Sequence, residues 1–240
     1  MTTFLLIHGA WRGGWCWHKV APLLKAKGHK AIAADLPGHG EDRTPTASAT
    51  LKGYADRACE IAAAQKEPVI LVGHSMGGIT ITQTAENCPQ NIRALVYLCA
   101  FLPRNGDSLV TWASQDRESK VNPTTTAPQP DGSVKFRMEC TREAFYLNCT
   151  EEDIQFAQPR LVAESGALFD VPVKTTAERW GRLPRYYIEC ARDRAITLWL
   201  QKEMQNQSPC RLKFSLDTDH SPFFSAPEQL ADILLQIEKL

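Results

Sequence analysis

The chain lacks a long hydrophobic run. Its longest uninterrupted apolar stretch is nine residues, 94–102, closed by Pro103, whereas a bilayer-spanning helix needs about 20. It has no excess of either charge, with 27 Lys+Arg against 27 Asp+Glu in 240 residues. That balance offers neither the basic footprint of a nucleic-acid binder nor the polybasic face of a protein held on an anionic membrane. None of its eight Cys forms a Cys-x-x-Cys pair, which excludes zinc ribbons and dithiol redox motifs. The thiols are expected to be free and buried. Metal-ligand spacing is missing too: the nearest cluster, His39-Gly40-Glu41-Asp42, reads as a solvated turn. The opening Met1-Thr2-Thr3-Phe4 has no basic stretch and no small-residue cleavage site, so a cytoplasmic protein is expected. There are no internal repeats and no low-complexity tracts.

What is present is the composition of a soluble globular enzyme, 43% hydrophobic and 22% charged, in a length that suits one α/β domain. Six short apolar segments read as strands: residues 4–8, 30–35, 69–73, 94–101, 186–190 and 211–216. Continuous rather than alternating apolarity is what parallel strands covered on both faces require. Helical stretches lie between them at 17–27, 51–65 and 196–205. In a C-terminal helix Leu230, Ile233, Leu234, Ile237 and Leu240 recur at helical spacing, and Ser225 with Glu228 around Pro227 reads as its capping box. This alternation specifies a doubly wound, mostly parallel six-stranded sheet flanked by helices.

Residues 104–184 break the rhythm. They contain Pro123, Pro128, Pro130, Pro159 and Pro172, no strong strand, and short amphipathic patches at 142–147 and 151–162. The stretch is too long for a plain connection. A helical lid is therefore expected at 104–184, inserted after the fourth strand, with 1–103 and 185–240 forming the core.

The third strand runs into Gly73-His74-Ser75-Met76-Gly77-Gly78. Gly-x-Ser-x-Gly at that place puts the serine on a tight strand-to-helix turn, where side chains on the flanking glycines would collide with the neighbouring strand and helix. Such an elbow demands a helix next, although Ile79-Thr80-Ile81-Thr82 alternates like a strand and has weak helix propensity. A serine nucleophile also needs a base. His8 and His74 beside strand ends, and His18, His29 and His39 in helix or turn contexts, read as structural or surface residues. His220 differs: it follows the sixth strand, just before the C-terminal helix. An acid must hold its tautomer, and Asp193 stands just after the fifth strand. Asp217 and Asp219 are rival acids, too near His220 in sequence to reach its far ring nitrogen easily. Ser75, Asp193 and His220 each end a different strand at the carboxyl edge, where open α/β sheets place their sites. Oxyanion donors would be the backbone N–H groups of Met76 and, in the first loop, Ala10. That loop, Gly9-Ala10-Trp11-Arg12-Gly13-Gly14, lacks the dinucleotide fingerprint, and no Gly-Lys-Ser/Thr phosphate loop is present. No cofactor and no metal are expected.

On these residues the chain resembles the α/β-hydrolases of the plant methylesterase and hydroxynitrile lyase group and their bacterial carboxylesterase relatives. Its specific pieces run from residues 8–17 through Asp35-Leu36-Pro37-Gly38-His39-Gly40, the elbow and Phe145-Tyr146-Leu147-Asn148-Cys149 to Asp193 and His220. The resemblance implies an α/β-hydrolase fold with a lid over an apolar pocket, and cofactor-free cleavage of small, uncharged hydrophobic carboxylic esters, some relatives taking pyrethroid-type compounds. The lyases of the group look distinguishable by a Thr in the first loop and a Lys after the catalytic His. Ala10 and Ser221 stand there, leaving nothing beside His220 in the sequence to stabilise departing cyanide. Lyase or C–C cleavage on the same triad, and a non-hydrolytic ligand receptor, stay open as alternatives. Candidate pocket residues are Trp11, Phe101, Leu102, Trp112, Phe136, Met138, Tyr146, Phe156, Leu161 and Phe169, any of which can instead serve only to pack the lid onto the core. The expected partner is a small-molecule ester, with no nucleic acid and no membrane, and the expected state a monomer or homodimer.

Overall fold

The computed structural model describes all 240 residues. Nine strands and nine helices follow one another along the chain. The strands are β1 (Thr3–Ile7), β2 (Lys30–Ala34), β3 (Val69–His74), β4 (Ile92–Leu98), β5 (Thr126–Pro128), β6 (Ser133–Phe136), β7 (Glu164–Ser165), β8 (Arg185–Cys190) and β9 (Leu212–Leu216). The helices are α1 (Val20–Ala26), α2 (Leu51–Ala63), α3 (Gly77–Asn87), α4 (Leu109–Ala113), α5 (Thr141–Phe145), α6 (Glu151–Ala157), α7 (Leu198–Gln207), α8 (Pro222–Ser225) and α9 (Pro227–Glu238). Six strands form one sheet in the order β2-β1-β3-β4-β8-β9, with every neighbouring pair parallel. All six residues of β3 are buried, whereas the edge strand β9 buries only Leu216. The continuously apolar runs are the central strands β1, β3, β4 and β8, covered on both faces, whereas the edge strands β2 and β9 are only partly buried. No helix is long and apolar enough to cross a membrane.

Three local expectations need correcting. The stretch at 17–27 splits into a 3-10 turn over Gly14–Trp17 and α1 from Val20. The capping box at the C-terminal helix does not form: Ser225 ends α8, and its hydroxyl donates to Asp219 at 2.9 Å, which removes it from any role in capping α9. The thiols are not all free, because Cys59 at α2 and Cys88 after α3 are joined in a disulfide, leaving six unpaired cysteines.

The insertion at 104–184 is not wholly helical. It carries α4, α5 and α6 together with a three-stranded antiparallel sheet, β5-β6-β7. Asp131-Gly132 makes the hairpin: Gly132 takes φ of 85°, and Asp131 accepts from the Ser133 N–H and hydroxyl. Apolar residues of the insertion, including Trp112, Phe145 and Ile154, join the same continuous core as the sheet. After β3 the Ile79–Thr82 segment is helical despite its alternation. Thr82 and Thr84 return their hydroxyls to the carbonyls of Gly78 and Thr80 at 2.8 Å, so their polar atoms are satisfied within α3.

Candidate active site

Ser75 sits between β3 and α3 with φ of 55°, a left-handed conformation that a non-glycine residue holds only under surrounding constraint. The constraint is visible: its N–H donates to Leu98, and its carbonyl accepts from Gly78 and Phe101 at 3.0 and 3.1 Å. A Cβ on Gly73 would stand 2.6 Å from the Gly77 carbonyl oxygen, and one on Gly77 2.8 Å from that of His8. Glycine is thus required on both sides for helix and strands to close around the serine.

The chain brings three distant residues together at the carboxyl edge of the sheet. His220, on the loop after β9, places Nε2 3.0 Å from Ser75 Oγ, and its Nδ1 lies 2.6 Å from Asp193 Oδ2. Asp193, after β8, accepts from the N–H groups of Ala195 and Ile196 at 2.7 and 2.9 Å through its other oxygen. The rival acids are engaged elsewhere. Asp217 pairs with Arg192 on the surface, and Asp219 accepts from the backbone of Asn148 and Ser221. Burial pushes the Asp193 carboxyl up, against the pull of its two backbone donors. Burial, with the Arg12 guanidinium adding to it, holds His220 well below its ordinary value. Its imidazole is therefore the free base at neutral pH, and its Nδ1–H donates to Asp193.

The loop after β1 runs directly beside the elbow: a Cβ on Gly9 would come within 2.7 Å of that of Ser75. The backbone N–H groups of Ala10 and Met76 take no part in the hydrogen bonding of the fold, and both residues line the cavity in front of Ser75. Two unspent donors at that position are what a developing oxyanion needs.

The cavity holds about 390 Å³ and is lined mostly by apolar side chains from the sheet edge and the insertion. Of the expected wall residues, Trp11, Phe101 and Phe169 line it. The other seven do not, and packing explains most of them. Leu102 is buried beside Met204, and Trp112 is fully buried with its indole N–H on Asp107. Phe136 forms a second layer behind Trp11 and Phe145, and Tyr146 packs on Phe224. Phe156 covers His18, Leu161 is half-buried against the core away from the cavity, and Met138 is 44% exposed. In their place stand Phe145, Val134, Leu109, Val121 and Leu200. Phe145 opens the motif on which the resemblance rests, so the wall takes the first aromatic of the pair and not the second. No Lys or Arg lines the cavity; its one acidic wall residue is Asp116, whose carboxyl burial raises and whose oxygens accept from the Thr197 N–H and hydroxyl at 2.8 Å.

Three of the remaining histidines, His8, His74 and His39, have polar structural partners, whereas His29 packs edge-on against Phe4. His8 accepts from the Leu36 N–H, and His74 donates to the His220 carbonyl at 2.8 Å. His39 does not sit in a solvated turn: it is buried against Glu164 of β7. His74, Cys99 and His220 bring ligand atoms within 4.8 Å of one another, but both His220 nitrogens are already committed, so the trio reads as packing beneath the site. Arg12 was invisible as a neighbour of His220 in the sequence. Its guanidinium lies 4.4 Å over the Phe145 ring and is not part of the cavity wall, so it supplies positive charge near His220 without lining the ligand space.

Residues 4–233 match a sequence profile described as "Alpha/beta hydrolase family". The chain is 32% identical over 251 residues to Methylesterase 1 of Arabidopsis thaliana, spanning 98% of this chain and 95% of that one. It is 33% identical over 250 residues to Salicylic acid-binding protein 2 of Nicotiana tabacum, spanning 98% and 96%. A solved pyrethroid hydrolase from Sphingobium faniae JZ-2 superposes with a TM-score of 0.90 at 29% identity, over 99% of this chain and 97% of the other.

Proposed function

The chain belongs to the alpha/beta hydrolase family, and on that footing we propose that it is a serine carboxylesterase acting on small, uncharged, hydrophobic esters. One observation carries the reading: the hydrogen-bonded line Ser75–His220–Asp193 opens into an apolar cavity of about 390 Å³. Ser75 Oγ attacks the ester carbonyl while His220 Nε2 takes its proton. The resulting oxyanion is held by the N–H groups of Ala10 and Met76. His220 then passes the proton to the leaving alkoxide, and the acyl group remains on Ser75. A water deprotonated by His220 attacks the acyl-enzyme, and the proton returns to Ser75 as the acid departs. Asp193, fixed by two backbone donors, keeps Nε2 unprotonated and stabilises the imidazolium formed in each half-reaction. Residues 104–184 act as the lid that supplies the acyl or alcohol wall through Val134, Phe145 and Phe169.

Uncharged substrates follow from the wall, which offers a carboxylate no cationic partner and confronts it with Asp116. The relatives named above as methylesterase and pyrethroid hydrolase support ester cleavage over cyanohydrin chemistry. Cytoplasmic placement and a monomeric or dimeric state belong to the same proposal, and cell fractionation and light scattering test them. The decisive experiment is turnover of a short-chain aryl ester together with covalent labelling by an organophosphonate, read by peptide mass. The adduct is expected on Ser75 alone. Labelling elsewhere, or full activity in Ser75→Ala, would sink the reading.

A further inference from the structure

Arg12 is 1% exposed, its Nε and Nη2 have no hydrogen-bond partner, and its Nη1 makes one long contact, 3.4 Å to the Ala10 carbonyl. Buried cations are ordinarily paired, because leaving one unpaired in a low-dielectric interior is costly. What surrounds this one is aromatic. The guanidinium carbon stands 4.4 Å from the Phe145 ring centre and 5.8 Å from that of Tyr146. Phe145 in turn has its ring centre 5.7 Å from that of His220 and forms part of the cavity wall. The charge therefore lies within about 10 Å of the catalytic imidazole, and the Phe145 ring is close to both. It also touches the peptide that follows the proposed oxyanion donor.

We propose that Arg12 is a positioning residue of this site, an unpaired cation that acts through Phe145 and the Ala10 loop to hold the wall and the base in working geometry and to extend activity toward acid pH. The inference rests on Ser75 and His220 being the nucleophile and base. The titratable groups facing His220 are Asp193 after β8, His74 at the elbow, Cys99 after β4, Asp219 on its own loop and Arg12 after β1. Of these Asp193 favours the imidazolium at closest range, and Asp219 turns its carboxylate to Asn148, Ser221 and Ser225. Arg12 is the one permanent cation in the set. A guanidinium also stacks on two rings in a way that an ammonium does not.

The sign of its effect is definite. A positive charge disfavours the imidazolium, so His220 remains the free base to lower pH with Arg12 than without it. At that outer limit of about 10 Å and an effective dielectric of about 20, one charge moves a proton equilibrium by at least about one pH unit, or about tenfold in proton affinity.

The test compares Arg12→Met, which keeps the stem and removes the charge, with Arg12→Lys, which keeps the charge. Two readouts apply: the acid limb of kcat/KM for a neutral ester, and the NMR titration of the His220 imidazole. Arg12→Met should move both upward by at least about one pH unit, and Arg12→Lys should return them toward the wild-type position while leaving KM raised through the lost stacking. An unchanged limb and titration in a folded Arg12→Met protein, or equal shifts in the Met and Lys variants, would overturn the proposal. If Arg12→Met does not fold, Arg12→Gln against Arg12→Lys decides it by the same readouts. Should the wild-type protein fail to label at Ser75, the esterase reading falls by itself, and the imidazole titration still decides the role of Arg12.

Discussion

Removing the carboxylate of Glu164 should both destabilise the protein and loosen its cavity. Glu164 lies on β7, in the insertion, and is fully buried against His39 and Tyr54, which belong to the core. Its Oε1 accepts from the Tyr54 hydroxyl at 2.8 Å and from the Ser165 N–H at 3.0 Å, and its Oε2 lies 3.1 Å from His39 Nε2. Burial acts against protonation of His39, but Glu164 and the Pro37 carbonyl outweigh it and hold the imidazole above its ordinary value. Taking away one partner of a buried pair leaves the other stranded, at a cost of roughly 3–5 kcal/mol. For a chain of this size that is a fall in Tm on the order of 10 °C. The damage should reach the site, because β7 pairs with β6, where Val134 lines the cavity and its carbonyl accepts the Trp11 indole N–H at 2.8 Å.

The assay is thermal unfolding of Glu164→Ala and Glu164→Gln across pH, with KM for a neutral ester alongside. Glu164→Gln keeps an acceptor for Tyr54 and loses the charge. The raised His39 value fixes the sign: its contribution is complete below the ordinary 6.5 and is lost as pH rises through the raised value. The Tm gap between wild type and Glu164→Gln should therefore be widest in mild acid and narrow toward alkaline pH. A gap that is independent of pH or widens on the alkaline side, or a Glu164→Ala protein that melts with the wild type, would refute the argument.

Ser75→Ala and His220→Ala should each lower kcat by about 10⁶, and Asp193→Asn by about 10⁴ because the wrong tautomer is then favoured; melting temperatures near wild type would show that the loss is chemical. Asp116→Asn should raise kcat/KM for a dicarboxylic half-ester about tenfold relative to the neutral diester, measured in paired assays. Reducing the Cys59–Cys88 bridge, which spans 29 residues, should cost about 3.5 kcal/mol by release of chain entropy. Activity at low temperature should survive that reduction, since the bridge sits at the end of α3 away from the elbow, and calorimetry with and without reductant checks both.

What a short stretch of chain encodes by itself was legible from sequence. The central strands announce themselves by continuous apolarity, while the edge strands β2 and β9 are mixed and partly exposed, and the elbow announces itself by glycines without which its backbone would collide. The order Ser75, Asp193, His220 follows from strand ends on one edge of a parallel sheet. The insertion resists the same approach because its elements are too short to carry a period. β7 is two residues long and is defined only by its pairing with β6. The Asp131-Gly132 turn was a readable hairpin signal, but the strands beside it, with Pro128 in one, are weak. Phe145 is the last residue of the five-residue α5, and Tyr146 just beyond it has already left the helix, with φ of −129° and ψ of 31°, so which of the two faces the cavity depends on where so short a helix ends, a boundary no pattern over so few positions can specify. Arg12 and the His39–Glu164 pair go further, since charged side chains are rarely buried without a partner and no local feature marks these as interior. Both couple the insertion to the core, Arg12 through Phe145 and Glu164 through His39 and Tyr54. Machinery common to the sheet is thus written in local sequence, whereas the cavity that chooses the ester is written in contacts between segments far apart. It follows that exchanging residues 104–184 with those of a relative should transfer specificity only if positions 12, 39 and 54 are exchanged with them.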